Sequence, residues 1–325
     1  MTKVSQIDKI IGHIPFLRRL LAYSVARVLT RPPRQKYSAT PSSLGLNFES
    51  IEVTTEDNLK IRAWEIPANN PKGLVVINHP TLSTRFGSTQ GLDGIKIQFL
   101  PTLRHLNTAG YTIITYDQRG HGESEGGVGR QQKGPKSPVA LGSIEWLDLQ
   151  AVLNYVTNKS KFKNLNIGLV THCQGANASL EAWRLHPEIF DLNRIKCQVL
   201  VQPTIAHNVA RRLTRRKLKT NIADAVEKEL KKDGSYFVDA RLGSSKLAVP
   251  ALFVQVRDDV YSVEKSTNKN DIEEIFDLCP TEKHLIWVGS NEPTPYGVGK
   301  RFDGHNYFNK YPEELIEFLN KHTAA

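Results

Sequence analysis

Cysteine is scarce in this 325-residue sequence: Cys173, Cys197 and Cys279 are the only three, far apart, with no Cys-x-x-Cys pair and no zinc-type spacing. An odd, sparse set argues against a disulfide framework and for a reducing compartment, so a cytoplasmic protein is expected. No run of about 18 apolar residues occurs, and no membrane span is expected. A dinucleotide fingerprint is missing too. Gly126-Gly127-Val128-Gly129 is too short, and it neither follows a strand nor opens a helix. No cofactor and no metal are therefore implied. Hydrophobic residues make up 39% of the chain, an ordinary share for a soluble globular protein with a large core.

What is present in excess is positive charge, +10 overall, and it is concentrated in two places. Residues 1–36 carry eight basic residues against Asp8 alone, and residues 211–232 carry nine against three acids. The rest is slightly acidic. No nucleic-acid-binding motif accompanies the charge, so nucleic acid is not an expected partner. Ile7, Ile10, Ile11, Ile14, Leu17, Leu21, Val25 and Val28 recur at helical spacing. Residues 1–40 are thus expected to form a basic, amphipathic helical arm, divided by Pro15 into a short and a longer helix. Such an arm packs on its own domain or makes peripheral contact with a membrane surface. Arg27 interrupts the apolar run and no cleavage site follows, which speaks against a signal peptide.

Beyond residue 41 the pattern alternates. Residues 48–55 and 59–66 read as a hairpin around Glu56-Asp57-Asn58. Apolar runs near 73–78, 112–116, 165–171, 197–201, 251–256 and 284–288 read as buried strands. Helical stretches near 99–109, 144–155, 175–185, 263–278 and 313–322 separate them. Residues 118–143 are rich in glycine, serine and proline and read as a surface loop. The alternation predicts a mostly parallel sheet with helices on both faces. The basic stretch 204–247 interrupts it between two core strands, which predicts an inserted helical cap within a domain spanning 41–325.

The chemistry centres on Ile167-Gly168-Leu169-Val170-Thr171-His172-Cys173-Gln174-Gly175-Ala176. A strand enters a tight turn and leaves as a helix, as in the nucleophile elbow written G-x-S-x-G. Cys173 stands at the nucleophile position, Gly175 supplies a small flanking residue, and Thr171 replaces the first glycine. The helix N-terminus is expected to favour a Cys173 thiolate. His172 is expected to point away across the turn. A carboxylate should follow a later strand, and the stretch ending Val256-Arg257-Asp258-Asp259 offers two, Asp259 being preferred and Asp258 the alternative. His305, between the last strand and the last helix, fits the general base. Two backbone N–H donors are needed for an oxyanion. Gln174 supplies one. Pro80 has no N–H, so Thr81 supplies the other. His79 reads as structural.

These residues, together with Gly110-Tyr111 and Asp117-Gln118-Arg119-Gly120-His121-Gly122-Glu123-Ser124, resemble the α/β-hydrolase superfamily over about residues 48–323. The cysteine and the His79-Pro80 turn resemble its dienelactone-hydrolase-like branch. The resemblance implies the α/β-hydrolase fold and acyl transfer through a Cys173-His305-Asp259 triad and an acyl-thioenzyme. Esters, lactones and thioesters suit a thiolate nucleophile better than amides. An acyltransferase or cyclase on the same fold, and a non-catalytic binding protein with a degenerate elbow, stay open at this point. Arg212, Arg215 and Arg216, with Lys219, are expected to share one face of a cap helix. There they would attract an anionic or carrier-bound acyl substrate.

Overall fold

The computed structural model describes residues 14–88, 96–191, 194–289 and 303–323. Eight strands form one sheet: β1 (Glu49–Thr54), β2 (Lys60–Ile66), β3 (Gly73–Asn78), β4 (Tyr111–Tyr116), β5 (Ile167–His172), β6 (Ile195–Val201), β7 (Ala251–Val256) and β8 (Lys283–Val288). Their spatial order is β1-β2-β4-β3-β5-β6-β7-β8. β1 and β2 form an antiparallel hairpin, and β2 meets β4 antiparallel. The other pairings are parallel. β3, β4, β5 and β7 are buried along their whole length. Their sequences are apolar runs rather than alternations because helices cover both faces.

The helices are α1 (Pro15–Thr30), α2 (Leu100–Thr108), α3 (Trp146–Asn158), α4 (Gln174–Leu185), α5 (Ala206–Leu218), α6 (Ala223–Leu230), α7 (Ala240–Ser244), α8 (Asp271–Asp277), α9 (Asp303–Asn306) and α10 (Pro312–Thr323). Two apolar clusters flank the sheet. One contains Leu149, Val152, Leu180 and Trp183 from α3 and α4. The other contains Leu103, Leu106, Leu315 and Leu319 from α2 and α10. One boundary differs from the sequence expectation. Residues 263–278 are not a single helix, because Val263–Glu264 and Lys269–Asn270 pair as a small hairpin. Asn270 then caps α8 in a reciprocal arrangement with Glu273, and this polar cap sets where the helix starts.

Between β6 and β7, helices α5, α6 and α7 form the inserted region. Its base is closed by a bridge between Ile205 and Asp239. Ala22 and Ala26 of α1 pack with Ala206, Ala210, Ile222, Ala223, Val226 and Leu230. The helical part of the N-terminal arm thus lies on the insertion, and the small alanines allow the helices to come close. Ile7, Ile10 and Ile11 lie outside the described residues. After α1, Arg34 donates hydrogen bonds to the backbone carbonyls of His121, Gly122, Ser124, Gly126 and Gln131, at 2.7–3.0 Å. This fastens the arm to the loop between β4 and α3. No helix among the described residues is long and apolar enough to cross a membrane.

Candidate active site

β5 ends at His172 and α4 begins at Gln174, leaving Cys173 alone to turn the chain. Its backbone sits at φ 45°, ψ −107°, a region that side-chain-bearing residues avoid. Such strain persists only where the surroundings over-determine it. Here the Cys173 N–H donates to Val201 O at 2.8 Å, and Cys173 O accepts from Asn177 N at 2.8 Å. Gly175 is required by proximity: a Cβ there would lie 2.7 Å from Asn78 Cγ and 2.9 Å from the Asn78 carbonyl oxygen. Thr171, in place of the first elbow glycine, is accommodated by polar partners. Its hydroxyl donates to Val199 O at 3.1 Å. Beside it Gln198 bonds Ser179 at 2.5 Å and accepts from Trp183 Nε1 at 2.8 Å. A buried hydroxyl is tolerated because its polar atoms are satisfied.

Two backbone N–H groups, those of Gln174 and Thr81, reach the Cys173 sulfur. Their placement depends on a residue that sequence reading did not single out. The Gln118 N–H donates to His79 Nε2 at 2.9 Å, and its side-chain amide donates to His79 O. Because His79 Nε2 accepts, its Nδ1 carries the proton and donates to Pro80 O at 2.7 Å. Gln118 Oε1 in turn accepts from Gln174 Nε2 at 3.0 Å. Gln118 therefore ties the turn that carries Thr81 to the first residue of α4. Its place in Asp117-Gln118-Arg119-Gly120 was the available signal. Asp117 anchors the same loop, accepting from the Arg85 N–H at 2.9 Å, its guanidinium at 3.0 Å, the Glu123 N–H at 2.8 Å and the Tyr37 hydroxyl.

Of the two aspartates, Asp259 is buried and Asp258 is exposed. The Asp259 carboxylate accepts from the Tyr261 N–H at 3.0 Å and the Ser262 hydroxyl at 2.8 Å. It is close enough to Cys173 for its charge to disfavour a thiolate. His305 lies on the short helix α9 and is 3% exposed. Its neighbour Asn306 accepts from the Gln98 N–H at 3.0 Å and donates to Lys96 O at 2.8 Å. Thr81, Cys173 and Asp259 all follow the C-terminal ends of parallel strands, where ligands bind in open α/β sheets.

Two electrostatic expectations are corrected. Burial pushes the Cys173 thiol up to about 12, and the Gln174 N–H, the larger of the two opposing contributions, and the Thr81 N–H offset this only in part. The resting group is a thiol, not the thiolate expected from the helix N-terminus, because desolvation outweighs two hydrogen bonds. His172 does not point away. Its Nδ1 lies 3.2 Å from His305 Nδ1, and its ring packs 4.9 Å from that of Phe99. Burial lowers His305 to about 3 and His172 well below its usual value, so both rings are neutral. With both rings neutral, one Nδ1 donates to the other, so the two rings hold opposite tautomers.

The cap arginines separate. Arg212 is buried, with its guanidinium on Asp271 at 2.5 and 2.8 Å and on Tyr261 O at 2.8 Å. Arg215 and Arg216 are exposed. Lys219 leaves the helix in a left-handed conformation, φ 58°. These four residues do not form one free cationic face. Arg212 is an internal brace of the cap, drawn inward because Asp271, raised by its own burial, sits across from it.

The model of the alpha/beta hydrolase fold family matches residues 89–272, and the chain belongs to that family. An esterase of Pyrococcus furiosus has a similar structure, with 21% identity, 91% of this chain and 98% of that one covered, and a TM-score of 0.63. A dienelactone hydrolase from Anabaena variabilis, 13% identical, aligns over 86% of this chain and 99% of its own with a TM-score of 0.52. These likenesses are of fold. An uncharacterized membrane protein of Saccharomyces cerevisiae is 27% identical over 121 residues, 37% of this chain and 35% of that protein's length.

Proposed function

We propose that the protein is a hydrolase of ester bonds, lactones and thioesters included, that works through Cys173, His305 and Asp259. The observation that carries this reading is the strained Cys173, with two backbone N–H groups at its sulfur. Strain of that kind and a paired donor site are costly to maintain and of no use to an inert core cysteine. The esterase and dienelactone hydrolase that share the fold support the same reaction class.

In this mechanism the Cys173 thiol gives its proton to neutral His305 as sulfur attacks the carbonyl carbon. The carbonyl π pair moves to oxygen, and the Thr81 and Gln174 N–H groups receive the oxyanion. Collapse re-forms the carbonyl and expels the alcohol or thiol, which takes the proton from His305. Water then attacks the acyl-thioenzyme, losing its proton to His305, and the acid leaves as Cys173 is reprotonated. Asp259 stabilises the imidazolium that forms transiently. Starting from two neutral groups avoids burying a separated charge pair in the resting site.

The test is intact-mass measurement after mixing with a panel of p-nitrophenyl esters, enol-lactones and acyl thioesters. One acyl adduct on the Cys173 peptide, absent from Cys173→Ala, is expected. Asp259→Asn should slow turnover by about 10²- to 10⁴-fold, whereas exposed Asp258→Asn changes it little. Turnover that persists in Cys173→Ala would refute the assignment.

A further inference from the structure

α1 carries apolar side chains on two faces. The inner face holds Ala22, Ala26 and Thr30, buried against the cap. The outer face is the row Phe16, Arg19, Leu20, Tyr23, Ser24, Arg27 and Val28, which follows helical spacing and is exposed throughout. Phe16 is 76% exposed and Val28 73%, with Leu20 and Tyr23 near half. A helix that merely packed on its own domain would carry polar residues along the whole row, whereas here Phe16, Leu20, Tyr23 and Val28 alternate with Arg19, Ser24 and Arg27. Exposed large apolar side chains in one row mark a contact surface.

The charge beside this row narrows the partner. Between α1 and α6 runs a groove of about 380 Å³ bordered by Arg18, Arg19, Lys228 and Lys232. Four cations there face a single carboxylate, Glu229, which bonds Lys232 at 2.5 Å and lies 3.7 Å from Arg19. Arg27 on α1, the exposed Lys231 just after α6, and the exposed Arg215, Arg216 and Lys217 on α5 add further positive charge to the arm and the insertion. Lys231 shares Glu227 at 3.5 Å. An aromatic and aliphatic row flanked by arginines and lysines, with a cationic groove of headgroup size, matches the chemistry of an anionic bilayer surface.

We infer that the outer face of α1, with the adjoining cationic groove, is a docking surface for anionic phospholipid bilayers. Phe16, Leu20 and Tyr23 enter the headgroup layer, and the groove receives lipid phosphate. The docked helix packs chiefly on α6, which in turn packs on α5, and α5 is braced through Arg212 to Asp271 and Tyr261 O. The bilayer is thereby held against the inserted helices.

Flotation of the full chain with vesicles tests this without any need for turnover. Phosphatidylcholine vesicles containing about 30% phosphatidylserine should bind at least tenfold more protein than phosphatidylcholine alone. Binding should fall as sodium chloride rises from about 0.1 to 0.5 M, since the Debye length shortens. The triple variant Phe16→Ser, Leu20→Ser, Tyr23→Ser should lose more than tenfold in binding. So should Arg19→Gln, Lys228→Gln, Lys232→Gln, because each cation near the surface is worth about fivefold. All six side chains lie on the surface, so circular dichroism and thermal midpoints should match the parent. Three results overturn the inference: no binding to either vesicle, binding indifferent to phosphatidylserine and to both variants, or a dimer in gel filtration that the apolar variant dissociates. The last would assign the face to a second copy of the chain.

Discussion

Lowering the pH from 7.5 to 5.5 should destabilise this protein far more than its modest histidine content suggests. His79, His121, His172 and His305 are each at most 3% exposed. Burial, the largest cause in every case, lowers His79 to about 4, His121 and His305 to about 3, and His172 well below the ordinary value of 6.5. A histidine lowered in the folded state binds its proton more readily when unfolded. Stability is therefore complete above about pH 6.5 and falls as the pH drops toward the folded value. At pH 5.5 each unfolded imidazole gains about 1.4 kcal/mol from protonation that the native one forgoes, and at pH 7.5 under about 0.1. Four of them remove about 5 kcal/mol, a large part of the roughly 5–15 kcal/mol that folds a domain. Glu145, Asp148 and Asp271 are raised chiefly by burial and act in the opposite sense, so they soften the loss. Arg119 on Asp148 and Arg212 on Asp271 limit that effect. Urea unfolding at the two pH values measures the difference. With a slope of about 3 kcal/mol per molar or somewhat more, the midpoint should fall by roughly 1–2 M. His121→Gln removes one titrating ring and should shrink the pH-dependent loss by about a quarter. Equal midpoints at the two pH values would refute the account of four neutral buried rings.

Further outcomes follow from the site and its supports. Cys173 is partly exposed while Cys197 and Cys279 are buried, so iodoacetamide should label it first, with a rate rising about tenfold per pH unit from 7 to 9; a plateau near neutrality would reveal a resting thiolate. Gly175→Ala forces a Cβ against the Asn78 backbone and should lower stability by about 1–3 kcal/mol with loss of turnover; a fully stable and active variant in thermal and ester assays would contradict the elbow geometry. Arg212→Gln leaves Asp271 buried without its cation and should cost about 3–5 kcal/mol in urea unfolding. Arg215→Gln and Arg216→Gln, both exposed, should stay within about 0.5 kcal/mol of the parent.

The sheet was readable from sequence because its strands are apolar runs between turn residues, and burial on both faces makes such runs unambiguous in order if not in length. The elbow was readable because its demand for a small residue at Gly175 and a strained residue at Cys173 is local. What escaped depends on residues distant in sequence. His172 meets His305 across 133 positions, and Arg212 finds Asp271 across 59, so no spacing rule reveals either contact. The same holds for the thiol of Cys173: a helix N-terminus is visible in sequence, but the degree of desolvation that outweighs it is a property of the packed site. The hairpin at 263–270 was hidden by a helical pattern, and only the Asn270 cap marks where helix begins.

The Arg34 contacts bear on how the chain is made. Arg34 reaches carbonyls of residues 121–131, and α1 rests on residues 206–230. During synthesis the arm emerges long before either seat exists. At roughly 5–20 residues per second, about 10–40 seconds pass before residue 230 has followed α1 out. For that interval both apolar faces of α1 are bare, and the guanidinium that will bind five carbonyls has only water. α1 is thus made well before the residues it rests on, and the arm fastens the insertion and the loop after β4 together only when both have formed.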